Sequence, residues 1–310
     1  EQIIIEETAR AGCGEWYNTL HSRLVGPYLQ RFGNEEQRER FLPKCVSGEC
    51  ILAVGMTEPN AGSDLASMRT VAKDMGDHFL LNGQKTYISN GINADLVVVA
   101  AKLHGAESRH AMVLMVVERG MPGFERGRNL DKIGQHSQDT AELFFTDVRV
   151  PVGNLLGEEG HGFAYLSANL AQERLSIAVA AVASARAAVG WTLDYVGERR
   201  AFGTPIGSFQ NTKFRLAEAH TEVQVTQAYV DRCVLALNAG TLTAAEAATV
   251  KWWATEMYKR VVDGCLQLFG GYGYMVEYPI ARAYADARIT TIYGGTTEIM
   301  KTIVAKSLGL

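Results

Sequence analysis

Between Gly162 and Arg186 only two charged side chains, Glu173 and Arg174, interrupt a long run of apolar and small residues. The run has helical patterning, and neighbours on a helix point about 100° apart, so the two cannot simply pair with each other. Each needs its own partner or purpose, because an unpaired buried charge is costly. Asn169, Leu170, Ser176 and Ile177 share the face of Glu173. On so apolar a surface desolvation raises a carboxylate pKa toward neutrality, the range useful to a general base. A buried glutamate paired with a distant Arg or Lys fits the same residues equally well.

A second constellation is Met56-Thr57-Glu58-Pro59-Asn60-Ala61-Gly62-Ser63-Asp64, entered directly from the apolar strand Ile51 to Val54. Pro59 sets one φ angle, Gly62 allows conformations closed to other residues, and Thr57 and Ser63 add hydroxyl donors beside backbone N–H groups. Such a turn suits a phosphate or the edge of a flavin. Taken alone it is as readily an ordinary capped loop.

Other chemistries find little support. The seven histidines have no metal-ligand spacing, and neither G-x-S-x-G nor a Walker sequence occurs. The five cysteines are scattered, with no C-x-x-C, as expected of reduced thiols; Cys45 and Cys50 have no neighbouring ligand residue that would make a zinc site. A net charge of −4 and the lack of a Lys/Arg run exclude a nucleic-acid binder. The first residues, Glu1 to Glu7, have no basic n-region, so no secretory signal is expected, and no uninterrupted apolar run is long enough to span a membrane.

The elements that must position these groups change character along the chain. Residues 1 to about 47 read as helical, ending near Pro43. From Ile51 to about Val152 the pattern is strand-rich: Phe79 to Gly83 as strand and turn, Leu96 to Ala101 and Met112 to Val117 as buried strands, and Leu143 to Phe145 as the last. From Gly162 onward helices take over, at about 163–198, 210–238, 243–269 and 296–308.

The turn at Met56–Asp64 resembles the flavin-binding signature of the acyl-CoA dehydrogenase family. Four further family motifs follow in order: Tyr87-Ile88-Ser89-Asn90-Gly91, Glu198-Arg199-Arg200-Ala201-Phe202-Gly203, Gln267-Leu268-Phe269-Gly270-Gly271-Tyr272-Gly273 and Tyr293-Gly294-Gly295-Thr296-Thr297-Glu298-Ile299. The resemblance covers nearly the whole chain. It implies an α+β multidomain fold: a helical N-terminal domain (1–50) that starts late relative to the family and so lacks its first helices, a small central β domain (51–160) and a C-terminal four-helix bundle (161–310). It also implies FAD-dependent α,β-dehydrogenation of an acyl-CoA thioester to the trans-2-enoyl-CoA, in fatty acid β-oxidation or related catabolism. Electrons would pass to an electron-transfer flavoprotein, in the bacterial cytoplasm or the mitochondrial matrix.

In many members of the family the base stands two residues before the Thr of the last motif, where this chain has Gly294. The long-chain and isovaleryl branches instead resemble this chain in carrying Glu before the helical Arg. The resemblance therefore assigns the α-proton to Glu173, the β-hydride to flavin N5, and the closest likeness to the long-chain branch. Gly294 keeps a role for its N–H, which with a ribityl hydroxyl would stabilise the enolate-like transition state. Arg174 and Gly295 would adjoin the substrate, with Arg174 orienting the helix or the network around the site.

By the same resemblance Val54, Met56, Thr57, Gly62 and Ser63 line the isoalloxazine and pyrophosphate, Ser63 also facing CoA. Tyr87 covers one flavin face, where relatives more often have Trp, with Ile88 beside it and the Ser89 hydroxyl near N5. Arg199, Phe202, Gln210 and the segment Gln267, Leu268, Phe269, Gly270 and Gly271 reach the FAD of a second subunit. Thr296, Thr297 and Glu298 contact its phosphate or ribityl region. A shared cofactor site implies a homo-oligomer, with a dimer of dimers, a homotetramer, expected. Trp16, Tyr17 and Leu20 fall where the family builds the floor of its acyl pocket, or else serve as core contacts. Alternatives are a short- or branched-chain enzyme, an acyl-CoA oxidase, and a catalytically silent acyl-CoA-binding paralogue.

Overall fold

The computed structural model describes residues 1–13, 16 and 19–310. Tyr17, one of the three expected pocket residues, lies outside the described residues. In chain order the elements are α1 (Gln2–Arg10), a π-helical stretch (Leu20–Val25), α2 (Gly26–Phe32), α3 (Glu35–Ser47), β1 (Leu52–Gly55), β2 (Val71–Asp74), β3 (His78–Ser89) and β4 (Leu96–Leu103). Then come β5 (Met112–Glu118), β6 (Phe124–Asn129), β7 (Thr140–Pro151), β8 (Leu155–Leu156), α4 (Gly162–Glu198), β9 (Arg200–Ala201), β10 (Thr204–Pro205), α5 (Gln210–Asn238), α6 (Ala244–Phe269), α7 (Pro279–Thr290) and α8 (Thr297–Ser307).

Two compact units form. One comprises Tyr17–Asp131 and Ser137–Leu170. Its mixed sheet runs β6-β7-β3-β2-β4-β5-β8, with β1 parallel to β4. The centre of this sheet is buried on both faces, which is why β4 and β5 read as unbroken apolar runs. Leu96, Val98 and Ala100 pack with Tyr28, Leu29 and Phe41 of the helices, and Val97, Val99 and Ala101 with Phe79, Leu143 and Phe145.

The N-terminal helical region ends at Ser47, as the expected limit of about 47 has it: α3 runs through Pro43, because both ends are capped, by an Asn34/Gln37 capping box and by Gly48 in the left-handed region, while Phe41 and Cys45 anchor its buried face. Two boundaries differ from the sequence reading. Gly83 is not a turn: β3 continues through it to Ser89 with a bulge, and at φ +143° any Cβ would lie 2.5 Å from Thr70 Oγ1. The last strand of the region is longer than Leu143–Phe145, and β2, β6, α7 and the short β8, β9 and β10 were not anticipated.

The other unit comprises Glu1–Trp16, Lys132–His136 and Ala171–Leu310, so it holds α1, most of α4, and α5 to α8 around one core. By length and composition α4 does qualify as a membrane span, contrary to expectation. Some 72% of its most apolar window is buried inside the protein, however, so that surface already serves as core.

Candidate active site

Glu173 and Arg174 are both buried in α4. Burial pushes the Glu173 carboxyl up to about 7, against the pull of Arg174 and of Lys251 from α6. The segment Gly294–Gly295 lies against this carboxyl: a Cβ on Gly294 would sit 3.6 Å from Glu173 Oε1 and 2.4 Å from Ile177 Cδ1. With φ at +62°, position 294 also lies in the left-handed region that favours glycine. The flanking carbonyls are held by buried cations. Arg174 Nε donates to Gly294 O at 3.3 Å and Lys251 Nζ to Gly295 O at 2.7 Å.

Beyond the glycines, Thr296 caps α8 by accepting from Ile299 N. The Thr297 hydroxyl is committed to Glu256 Oε1 at 2.9 Å and is buried, whereas Glu298 is exposed on the first turn. Backbone N–H donation at the helix start and the Thr296 hydroxyl hold the Glu298 carboxyl below its ordinary value. An anion near this end would thus meet a hydroxyl and a carboxylate together.

The same unit contains a cleft of about 440 Å³ that brings together Arg199, Gln267, Leu268, Phe269, Gly270 and Gly271, with Tyr195 and Tyr272. Arg199 lies over the Tyr272 ring, 5.4 Å from its centroid, and Tyr195 stacks on Phe269 at 4.2 Å. Phe202 and Gln210 do not line this cleft. Gln210 is the exposed first residue of α5, and Phe202, 97% exposed at φ +51°, projects from the β9–β10 turn. A bulky residue held both in water and in the left-handed region contributes nothing to the core.

In the sheet unit the turn Met56–Asp64 is anchored from behind by a buried ion pair. Lys85 Nζ donates to Glu58 Oε1 at 2.8 Å and to Met56 O at 3.1 Å, and Glu58 also accepts from the backbone of Arg69 and Thr70. Thr86 N donates to Thr57 O at 2.9 Å, while Gly62 and Ser63 at the tip are exposed. On β3, Tyr87 is 70% exposed at φ +59°, in the register shift between Lys85 and Ile88. Asn90, also left-handed, fixes the strand end by donating to Leu52 O and accepting from Gln138. Val54, Met56, Thr57 and Ser89 are half-buried, but the Ile88 side chain is in the core, which leaves only its main chain for a ligand.

Three groups in these arrangements escaped the sequence reading: Glu58 as an anchor, Lys85 and Lys251. Lys251 had a signal, since it falls on the apolar face set by Ala247, Ala254 and Tyr258, where a lysine must have a partner.

Comparison with known proteins matches the N-terminal, middle and C-terminal domain models of acyl-CoA dehydrogenases at residues 1–49, 53–148 and 160–309. The chain belongs to the acyl-CoA dehydrogenase family. It is therefore an enzyme, a flavin oxidoreductase acting on acyl-CoA. It is 48% identical over 309 residues to the long-chain specific acyl-CoA dehydrogenase, mitochondrial, of Sus scrofa, covering 99% of this chain and 72% of that protein. The mitochondrial isovaleryl-CoA dehydrogenase of Pongo abelii is 38% identical, with 98% and 73% covered. Among solved structures, acyl-CoA dehydrogenase from Geobacillus kaustophilus superposes with a TM-score of 0.97 at 51% identity, over 100% of this chain and 82% of that one. A chain described as the electron transferring flavoprotein of Acidaminococcus fermentans gives 0.95 at 35%, over 99% and 81%. An FAD complex of PigA gives 0.94 at 26%, over 100% and 82%.

Proposed function

We propose that this dehydrogenase oxidises an acyl-CoA thioester to the trans-2-enoyl-CoA with Glu173 as the base that removes the α-proton. The observation that carries this reading is the placement of a buried carboxylate, its pKa raised to about 7, against the side-chain-free segment Gly294–Gly295. A thioester lying along those glycines meets the base on one side and backbone N–H groups on another. Burial keeps water from Glu173, so its proton affinity is matched to neutral pH. Removing the carboxylate while keeping its shape is the test, and its expected result opens the Discussion.

FAD is the cofactor, and when bound it supplies the acceptor for the β-hydride. The residues fit such a dinucleotide. Gly270 and Gly271 have no heavy atom within 4 Å of where a Cβ would stand, so the backbone beside Arg199 is open to a ligand. The exposed Tyr87 ring offers a flat face, and Thr57 and Ser63 offer hydroxyls. Arg199, with Phe202 and Gln210 projecting outward, serves the FAD of a second subunit, in a dimer or a dimer of dimers. Arg199→Ala is expected to lower flavin content and dimer stability together. A monomeric variant that retained stoichiometric FAD in gel filtration would separate the two and end the shared-site reading.

The electron acceptor is an electron-transfer flavoprotein, as expected for this family. A reading as a long-chain enzyme of fatty acid β-oxidation rests on the likeness to the long-chain specific relative and on the placement of the base in α4. The compartment is the mitochondrial matrix or the bacterial cytoplasm, according to the source. Leu20 belongs to the core, but Trp16 is 62% exposed, which speaks against its being a core contact. If Trp16 limits the acyl pocket, Trp16→Gly moves the kcat/KM optimum across a ladder of acyl-CoA lengths toward longer chains, by about 10-fold or more for a pocket residue of this size. An unchanged optimum would remove Trp16 from the pocket.

A further inference from the structure

Lys251 has no exposed surface, and the helix face it occupies is otherwise formed by Ala247, Ala254 and Tyr258. An ammonium in such a place is costly to bury unless it is hydrogen-bonded and paired. Its hydrogen bond goes to Gly295 O at 2.7 Å, next to the Gly294 carbonyl taken by Arg174. In a trans peptide the C=O and N–H point opposite ways, so holding these two carbonyls fixes the N–H groups of Gly295 and Thr296 and the φ and ψ of Gly295 that link the two peptide planes. Adjacent glycines at φ +62° and +101° have no side chains to restrict them, and the two cations supply that restriction instead.

We propose that Lys251 is a positioning residue for the deprotonation step: it clamps the glycine segment against Glu173 and places a fixed positive charge beside the base and the enolate it generates. The proposal rests on the reading of Glu173 as the base. The charged neighbourhood is defined on every side. Glu173 meets Arg174 on its own helix and Lys251 from α6; Lys251 meets Arg174 and Glu173 from α4, Glu256 along α6 and Glu298 from α8. Burial and Arg174 bring the Lys251 ammonium down to about 8, so it is largely charged at neutral pH and its charge acts on Glu173 there.

The test uses the FAD-loaded enzyme with Lys251→Met, Lys251→Arg and Lys251→Gln. Two quantities are read: the acid limb of single-turnover flavin reduction by acyl-CoA, and the pH at which bound 3-oxoacyl-CoA becomes its enolate, followed by ultraviolet absorbance. Loss of a nearby positive charge raises the pKa of both acids, so both midpoints move to higher pH in Lys251→Met, by about one unit. One unit corresponds to about tenfold slower reduction on the acid limb. Lys251→Arg restores both midpoints. If Lys251→Met does not fold, Lys251→Gln, which keeps a donor for Gly295 O but no charge, must still move them upward. Wild-type midpoints in a folded, FAD-replete Lys251→Met or Lys251→Gln would overturn the proposal and make the lysine a packing residue. Failure of the underlying reading looks different, because then Glu173→Gln itself would reduce its flavin at the wild-type rate.

Discussion

Glu173→Gln lowers the rate of flavin reduction by acyl-CoA at least ~10²-fold, the low end for loss of a general base, while FAD and CoA-ester binding persist. The amide keeps the shape of the carboxylate and cannot accept the α-proton. In the wild type the reduction rate at subsaturating acyl-CoA rises with pH through about 7, since Glu173 must be ionised to act and its carboxyl titrates there in the free enzyme. Anaerobic single-turnover bleaching measures both, and a variant that bleached as fast as wild type would return Glu173 to a structural role. The raised pKa also has a sign for stability. Relative to its ordinary value of 4.5, the contribution of protonated Glu173 is fully present below that pH and is lost as pH rises through about 7. The glutamine variant lacks this loss. Moving the carboxylate to Gly294 in the Glu173→Gln background is expected to restore part of the rate, but only with Ile177→Ala, since a Cβ at 294 would stand 2.4 Å from Ile177 Cδ1.

Lys85→Met is expected to destabilise the protein by about 3–5 kcal/mol, the range for breaking one side of a buried ion pair. Lys85 is fully enclosed and Glu58 nearly so. Loss of the ammonium leaves the Glu58 carboxylate with two backbone donors and no countercharge, directly beneath the turn Met56–Asp64. Urea unfolding measures the loss, and Lys85→Met with Glu58→Leu should recover most of it, because the stranded charge and not the missing bond dominates the cost. A single variant within about 1 kcal/mol of wild type would show the pair to be dispensable, at the level of an exposed salt bridge.

Much of this was legible along the chain, where the signal is local. β4 and β5 announce themselves as apolar runs, α4 to α6 as long helical patterns, and the charged pair Glu173–Arg174 stands out because nothing near it in sequence is charged. The family motifs placed Arg199 and Gln267–Gly271 together before any geometry, and one cleft does gather them. The strand through Gly83 was misread because the glycine was judged by its usual habit, and Pro43 does not end its helix, which runs on to the expected limit near 47. Capping and a buried face outweighed the proline, and close approach of Thr70 turned the glycine from a turn residue into a bulge.

The sequence by itself determined the family, through the resemblance of five motifs in register, and, through periodicity and side-chain chemistry, the order of helical and stranded regions and the type of residue available for each chemical task. Only the tertiary structure decided which groups complete the sites. Lys251 lies 44 residues from Gly295, and Lys85 lies 27 from Glu58, so no local pattern pairs them. Their pairing follows from packing, which takes each ammonium out of water and leaves it a carbonyl or a carboxylate as its partner.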